Sequence, residues 1–259
     1  MTDYYALEAR LSAHVSERML ELAGIVPGMC VLDLATGQGE PLVRIARRVG
    51  PSGRVVGVDP WVKALEVTRA RVSDLANVTL QAVQAEAFDA DEATFDAVTC
   101  RWGLFACSDP LEVLRRIRRA LKPGGLLVAA LWAEYERIPW YSLVREVTAR
   151  FLDLPPRSAE LPGPARFGTR ELIERDFGAA GLEIVHMEEV DCKVLEAVDL
   201  IEWVHYFWGR WVERLTPAQL PAWQEALRGA AEGYRVDGLI CLGGVTRLVA
   251  ARPRLLVSL

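Results

Sequence analysis

Four residues in the first quarter of the chain have the types and the spacing needed to hold the nucleoside end of a cofactor. Asp33, Gly37 and Gly39 lie in the run M-C-V-L-D-L-A-T-G-Q-G-E-P, residues 29–41, where an apolar stretch enters a glycine turn. Glycine has no Cβ, so the backbone there can turn tightly and approach a ligand closely. Asp59 ends the next apolar run, R-V-V-G-V-D, twenty residues after Gly39. A carboxylate in that place can accept hydrogen bonds from both hydroxyls of a ribose.

The glycine turn lacks the third glycine of a dinucleotide-binding turn. The fingerprint G-x-G-x-x-G seats a pyrophosphate on the N-terminus of a helix, but Leu42 occupies its third position here. Two acidic residues, Asp33 and Glu40, flank the turn. They would repel a pyrophosphate and suit a ligand that carries an ammonium and a sulfonium. A nicotinamide-dependent oxidoreductase is therefore the weaker interpretation.

The turn resembles the first motif of the class I, Rossmann-like methyltransferases that use S-adenosylmethionine, commonly V-L-D-x-G-C-G-x-G. The chain keeps V-L-D and both later glycines, and has Ala35 and Thr36 where Gly-Cys is usual. The resemblance covers residues 20–132 well. It includes L-K-P-G-G before an apolar run, and the phrase R-W-G-L-F is similar to the R-x-G-L of quinone and natural-product methyltransferases.

The resemblance implies where each part of S-adenosylmethionine would bind. Asp33 would neutralise the methionyl ammonium, Asp59 would hold the ribose, and Arg101 with Trp102 would line the methionyl end. Gln84 stands where the family has an acid, and its amide oxygen can still accept from the adenine amine; it could equally be an ordinary loop residue, and Trp102 a core residue. The predicted cofactor-binding residues are Asp33, Ala35, Gly37, Gly39, Asp59, Pro60, Gln84, Ala85, Arg101 and Trp102.

An aromatic segment, E-W-V-H-Y-F-W-G-R-W, is the candidate acceptor-binding surface. Within it, His205 could take a proton from a hydroxyl or an acidic carbon as the methyl arrives. Aromatic residues at helical spacing could also be plain core. The predicted acceptor-binding residues are Tyr5, Trp102, Trp203, Tyr206 and Phe207, and no metal site is predicted.

Alternating strands and helices through residue 132 predict a mostly parallel α/β sheet with helices on both faces. We expect a Rossmann-like methyltransferase sheet whose last strand is antiparallel, with a helical cap insertion. The predicted segments are a core at 1–132, a cap insertion at 133–181, and core strands at 182–259 with a second, aromatic cap at 195–235. Helices are predicted at 5–23, 40–49, 61–75, 110–121 and 139–152, with helical structure at 197–234; strands two to six are predicted at 55–59, 78–83, 95–100, 126–132 and 183–190, and the last at 245–251.

The composition of the chain limits the classes of partner that we expect. The net charge of −5 and a pI near 5.4 disfavour a nucleic-acid substrate. No apolar run has the length of a membrane span and the N-terminus lacks the character of a signal peptide, so we expect a cytoplasmic protein with no membrane partner, as a monomer or homodimer. The predicted partner is a small-molecule acceptor, apolar and aromatic or polyketide-like, methylated on oxygen, carbon or nitrogen. The alternatives are a cyclase that keeps S-adenosylmethionine on the same scaffold, or a binding module, since pocket motifs do not fix the reaction.

Overall fold

The computed structural model describes residues 3–158 and 161–254. The two ends of the predicted core segments, 1–2 and 255–259, and residues 159–160 of the predicted insertion lie outside the described residues. Within the described ranges, no helix has both the length and the apolar character to cross a bilayer.

One mixed sheet organises the chain. Its strands follow the spatial order β3-β2-β1-β4-β5-β8-β6, and β7 pairs with β8. The first five strands are parallel to one another, whereas β8 is antiparallel to both β5 and β6. This confirms the predicted Rossmann-like sheet with an antiparallel last strand. The strands are β1 Cys30–Leu34, β2 Arg54–Val58, β3 Val78–Gln81, β4 Phe95–Arg101, β5 Leu121–Trp132, β6 Leu182–Ala197, β7 Arg235–Val236 and β8 Leu239–Pro253.

Helices cover both faces of the sheet because its central strands are apolar on both sides. Neighbouring residues of β1 belong to different buried clusters, Val31 to one and Leu32 to the other. The side chains of Asp109 and Thr169 cap two of these helices, accepting from the backbone N–H groups of Glu112 and Leu172. The helices are α1 Tyr4–Leu11, α2 Ala13–Leu22, α3 Leu42–Val49, α4 Val62–Arg71, α5 Pro110–Ala120, α6 Pro139–Thr148, α7 Arg170–Ala179, α8 Ile201–Val212 and α9 Leu220–Ala231.

The N-terminal helix predicted at 5–23 is two helices, broken at Ser12. The Ser12 hydroxyl donates to the carbonyl oxygen of Glu8, 2.7 Å away, and its backbone leaves the helical range at φ −102°, ψ 10°. Such a bond competes with the regular ladder of a helix. The spacing of apolar residues in the sequence does not reveal this break.

The strand pair β6 and β8 is much longer than predicted. Their register continues from Leu182 opposite Pro253 to Ala197 opposite Ile240. Gly243 lies inside β8 because the strands approach closely there: a Cβ on it would stand 2.0 Å from the carbonyl oxygen of Cys192. In the sequence, a glycine inside a strand looks like the end of the strand, which is why the last strand is predicted to begin only at residue 245.

The two predicted cap segments pack on each other above the sheet. Helix α6 lies against α9, and the indole N–H of Trp223 donates to the hydroxyl of Thr148, 3.1 Å away. Trp203 and Trp223 are fully buried. The division into core and cap at 132, 181 and 195–235 stays a prediction.

Candidate cofactor site

The sheet order reverses between β1 and β4, and the loops after these strands meet at that point. In open α/β sheets, such a crevice outside the carboxyl ends of the strands is where ligands bind. Here the meeting loops are the glycine turn after Leu34 and the segment Arg101 to Gly103.

A cavity of about 160 Å³ lies at this crevice. It brings together five of the predicted site residues from three elements, α1, the glycine turn and the end of β4. Its lining residues are Tyr5, Glu8, Ala9, Ala35, Thr36, Gly37, Gln38, Glu40, Arg71, Arg101 and Trp102.

The glycine turn has three left-handed residues, Ala35 at φ 58°, Gly37 at φ 52° and Gly39 at φ 95°. Ala35 occupies the place of a family glycine, and left-handed backbone costs an alanine roughly 1–2 kcal/mol. Its Cβ has room because Gly103 is opposite: a Cβ on Gly103 would stand 2.3 Å from that of Ala35. The departure from the motif is accommodated by a second glycine at the end of β4.

The carboxylate of Asp33 is completely buried at the end of β1. Each oxygen accepts a hydroxyl hydrogen bond of 2.6 Å, one from Thr36 and one from Thr99. Burial raises the pKa of Asp33 to about 6, and the two hydroxyls oppose the rise. Thr36 lines the cavity and Asp33 does not, so the carboxylate lies behind the Thr36 side chain that donates to it.

Asp59 fixes the turn to the end of β2. One carboxylate oxygen accepts from the backbone N–H of Gly37 at 2.9 Å, the other from that of Trp61 at 2.8 Å. Each oxygen of an ionised carboxylate has a further acceptor site. The side chain can therefore receive two ribose hydroxyls while it holds the turn, so the residues present fit the nucleoside of S-adenosylmethionine.

Arg101 connects the site to α1. Its guanidinium donates to Glu8 at 3.0 Å and to the Ser12 hydroxyl at 2.6 Å, and it lies 4.6 Å from the ring centroid of Trp102. The Arg101 side chain is 7% exposed and that of Glu8 13%. An ion pair this far from water holds α1 across the mouth of the cavity.

Trp102 is held in a strained backbone conformation, φ 56°. Bulky residues are outliers there, and such strain concentrates at functional sites. The ring stacks on Trp132 with centroids 4.6 Å apart, and its N–H donates to the Thr246 hydroxyl at 2.9 Å. Trp102 thus packs against the sheet and also lines the cavity, and its contact with the cofactor stays a prediction.

Three further aromatic rings pack against Tyr5 at the site. Its ring centroid lies 5.9 Å from Trp61, 5.6 Å from Tyr206 and 5.2 Å from Phe207. Burial raises the pKa of Tyr5 well above its ordinary value, so its hydroxyl stays protonated. The buried Trp203 supports Phe207 at 5.2 Å.

The remaining predicted residues lie apart from the cavity. The Gln84 side chain is exposed, and its carbonyl oxygen accepts from the N–H of Ala87; Ala85 is half-buried against the core. Pro60 is exposed beside Asp59. His205 is on α8 with its ring against Trp223 of α9, centroids 6.1 Å apart, so it faces α9 rather than Tyr5.

Sequence reasoning missed Thr36, Thr99, Glu8 and Ser12. The two threonines bind Asp33, and the other pair binds Arg101. A hydroxyl three residues after Asp33 was a readable signal for Thr36. The other three come from distant segments, which single-sequence patterns do not connect.

Comparison with known proteins agrees with this geometry. The family described as "Methyltransferase domain" matches residues 31–125. A demethylmenaquinone methyltransferase of Lactococcus lactis is 33% identical over 132 residues, 50% of this chain and 52% of that one. A ubiquinone/menaquinone biosynthesis C-methyltransferase of Hydrogenovibrio crunogenus is 41% identical over 112 residues, 42% of this chain and 44% of that one. The chain spans about half the length of the curated relatives it matches.

Solved structures share the fold over nearly the whole chain. A Bacillus halodurans protein assigned as a methyltransferase has a TM-score of 0.65 at 18% identity, covering 93% of this chain and 99% of that one. The cyclase SpnF has a TM-score of 0.59 at 21% identity, covering 93% of this chain and 81% of that one. Residues 31–125 therefore match the methyltransferase domain family, and the solved structures share the fold of the chain.

Proposed function

We propose that this protein transfers the methyl group of S-adenosylmethionine to an oxygen, carbon or nitrogen of an apolar small molecule, aromatic or polyketide-like. The observation that carries the proposal is Asp59, whose two oxygens are fixed by Gly37 and Trp61 with acceptor capacity left for a ribose. The family match and the quinone-methylating relatives support it.

Methyl transfer from a sulfonium is a direct displacement, so the protein's work is to position the reactants and exclude water. S-adenosylmethionine supplies the electrophilic methyl when bound. Asp33 gives the site the negative charge that suits an ammonium and a sulfonium, while Tyr5 and Phe207 shield the mouth from solvent. Direct displacement does not demand a base, and we assign no proton to His205, which faces Trp223.

The first test is calorimetric titration with S-adenosylmethionine, S-adenosylhomocysteine and NADH. We expect both adenosyl ligands to bind and NADH not to bind. Asp59→Ala should weaken the adenosyl ligands by about a hundredfold or more, since it removes two hydrogen bonds to a charged group at about 1.5 kcal/mol or more each. The exposed Asp74→Ala is the matched control and should leave affinity unchanged. Unchanged affinity in Asp59→Ala would refute the ribose assignment.

The reaction itself is tested by the mass of the product. Methylation adds one methylene unit to the acceptor and yields S-adenosylhomocysteine in equal amount. Ring closure with the cofactor retained leaves the acceptor mass unchanged and consumes no cofactor. That second result would replace methyl transfer by a cyclase activity on the same fold, as in SpnF.

A further inference from the structure

A second cavity, which we call the aromatic cavity, lies on the cap side of the cofactor site. Its volume is about 430 Å³, within the range of roughly 300–1,000 Å³ typical of small-molecule sites. Rings form most of its wall, with Pro162 and Pro164 closing one side. The aromatic side chains that line it are Phe105, Trp140, Tyr141, Phe207, Trp208 and Trp211.

The aromatic cavity shares a wall with the cofactor site. Phe207, which lines it, lies 5.2 Å from Tyr5, which lines the cofactor cavity. On the other side, Trp140 contacts Trp132 at 5.1 Å, and Trp132 stacks on Trp102 at 4.6 Å. A molecule in the aromatic cavity would therefore be separated from the methyl donor by a layer of aromatic rings.

The charged residues that line the two cavities differ: Arg71 and Arg101 line the cofactor cavity beside its two glutamates, and the aromatic cavity has a single charged residue among its described lining residues. Glu8 and Glu40 line the cofactor cavity, whereas Arg210 is the one charged residue among the described residues that line the aromatic cavity. A second guanidinium, that of the buried Arg145, lies 5.8 Å from the ring of Trp211. With one arginine and no carboxylate among the described residues of that lining, and a second guanidinium behind Trp211, the cavity disfavours an ammonium and favours an anionic oxygen.

Trp140, whose side chain lines the aromatic cavity, also carries an unused hydrogen-bond donor. The indole N–H of Trp140 is buried and has no partner among the described residues. A buried unpaired donor costs about 1–3 kcal/mol, and such groups in native structures call for an explanation. An oxygen on a bound molecule could pair with it only after the Trp140 ring turned its N–H toward the cavity.

The wall itself is irregular at this point. Trp208 has non-helical dihedrals, φ −121° and ψ 16°, in the middle of α8. Breaks of this kind in a helix are often found at functional sites. The break falls between Phe207 and Arg210, both of which line the cavity.

We propose that the aromatic cavity binds the methyl acceptor, and that this acceptor is a planar fused-ring aromatic bearing an anionic oxygen directed toward Arg210. The rings of Trp140, Trp208 and Trp211 supply the faces and edges on which such a molecule packs. That the bound molecule is a methyl acceptor rests on the proposed function. That the cavity binds such a molecule is argued from the geometry of the cavity alone.

The charge preference is tested with two probes of one shape. Hydroxynaphthoate is an anion at neutral pH and naphthylmethylamine is an ammonium; both are titrated calorimetrically with S-adenosylhomocysteine present and absent. We expect the anion to bind at least tenfold more tightly. Arg210→Gln should abolish most of that preference and Arg210→Glu should reverse it. Arg214→Gln, one turn further along and bonded to the carbonyl oxygen of Asp153 at the surface, is the matched control and should keep it.

The location is tested by filling the cavity. Ala106 is exposed and lines the aromatic cavity, so Ala106→Trp should block hydroxynaphthoate without disturbing the core. Ala222→Trp places the same ring on the exposed face of α9 and should bind the probe as the parent protein does.

The outcomes separate the two proposals. A preference for the anion that ignores both Arg210 substitutions, or binding that survives Ala106→Trp, overturns the aromatic cavity as the site, even where S-adenosylhomocysteine binds normally. Failure to bind S-adenosylhomocysteine, with the Arg210-dependent preference intact, overturns the proposed function and leaves an anion-binding aromatic site.

Discussion

The buried carboxylate of Asp33 predicts that cofactor affinity depends on pH near 6. Only the ionised form offers a negative charge to the ligand's ammonium. The pKa of Asp33 is about 6 because burial disfavours its charged form, against the pull of the Thr36 and Thr99 hydroxyls. Lowering the pH from 7 to 5 therefore neutralises the group in the free protein.

The size of the effect follows from the titration. With a pKa of about 6, roughly nine tenths of Asp33 is ionised at pH 7 and roughly one tenth at pH 5, so affinity should fall by about tenfold. The stability of the folded protein should also depend on pH through Asp33. Because the folded-state pKa lies above its ordinary value of 3.8, this group's contribution to stability is full at low pH and is lost as the pH rises to about 6. The whole shift corresponds to about 3 kcal/mol.

The assay is calorimetric titration of S-adenosylhomocysteine at pH 5, 6 and 7. Asp33→Asn should bind more weakly at pH 7 and show no change across the window, and it should remove the fall in stability. Thr99→Val should move the midpoint upward, because Thr99 donates to the carboxylate form. Equal affinity at pH 5 and pH 7 in the parent protein, or the same slope in Asp33→Asn, would refute the assignment of charge to Asp33.

Two further predictions concern how the site is held. Gly103→Ala should destabilise the fold by about 1–3 kcal/mol in chemical denaturation, because the new Cβ would meet that of Ala35 at 2.3 Å. The double variant Ala35→Gly/Gly103→Ala should recover much of this loss, and strict additivity of the two single changes would contradict the contact. Glu8→Gln should weaken the pairing of Arg101, cost about 1–3 kcal/mol and increase hydrogen exchange in α1. The exposed Glu21→Gln, whose surface pair with Arg18 contributes little, should change neither, and an equal effect in both variants would show that the Glu8 pair is not special.

Local patterns predicted the core well because each of its signals is short in sequence. The alternation of apolar runs and turns placed β1 to β5 and the helices between them. The motif placed Gly37 and Asp59, which the structure joins by one hydrogen bond. The reversal of strand order at β1 and β4 then brings Arg101 to the glycine turn. For these residues, spacing along the chain and position in the fold are tightly linked.

The cap and the closing contacts were beyond sequence patterns for the opposite reason. The aromatic stretch of α8 looked like one surface, but its rings divide by angle around the helix. Tyr206 and Phe207 face Tyr5, whereas His205 faces Trp223 of α9. Which face meets which partner depends on α9 and α1, distant segments that packing brings together. The same holds for Glu8 and Arg101, 93 residues apart.

The two walls of the cofactor cavity differ in how they are fixed. The glycine turn is held by its own backbone: the N–H of Thr36 donates to the carbonyl oxygen of Val58 at 3.1 Å, and that of Gly37 donates to Asp59. Helix α1 is instead held over the site by side chains, through the Glu8 pair and the Tyr4 hydroxyl on Glu202. The cavity of about 160 Å³ lies below the roughly 300 Å³ at which ligand sites begin. The added room must come from the wall that can move without breaking the turn, so we expect cofactor entry to displace α1 and leave Asp33 and Asp59 in place.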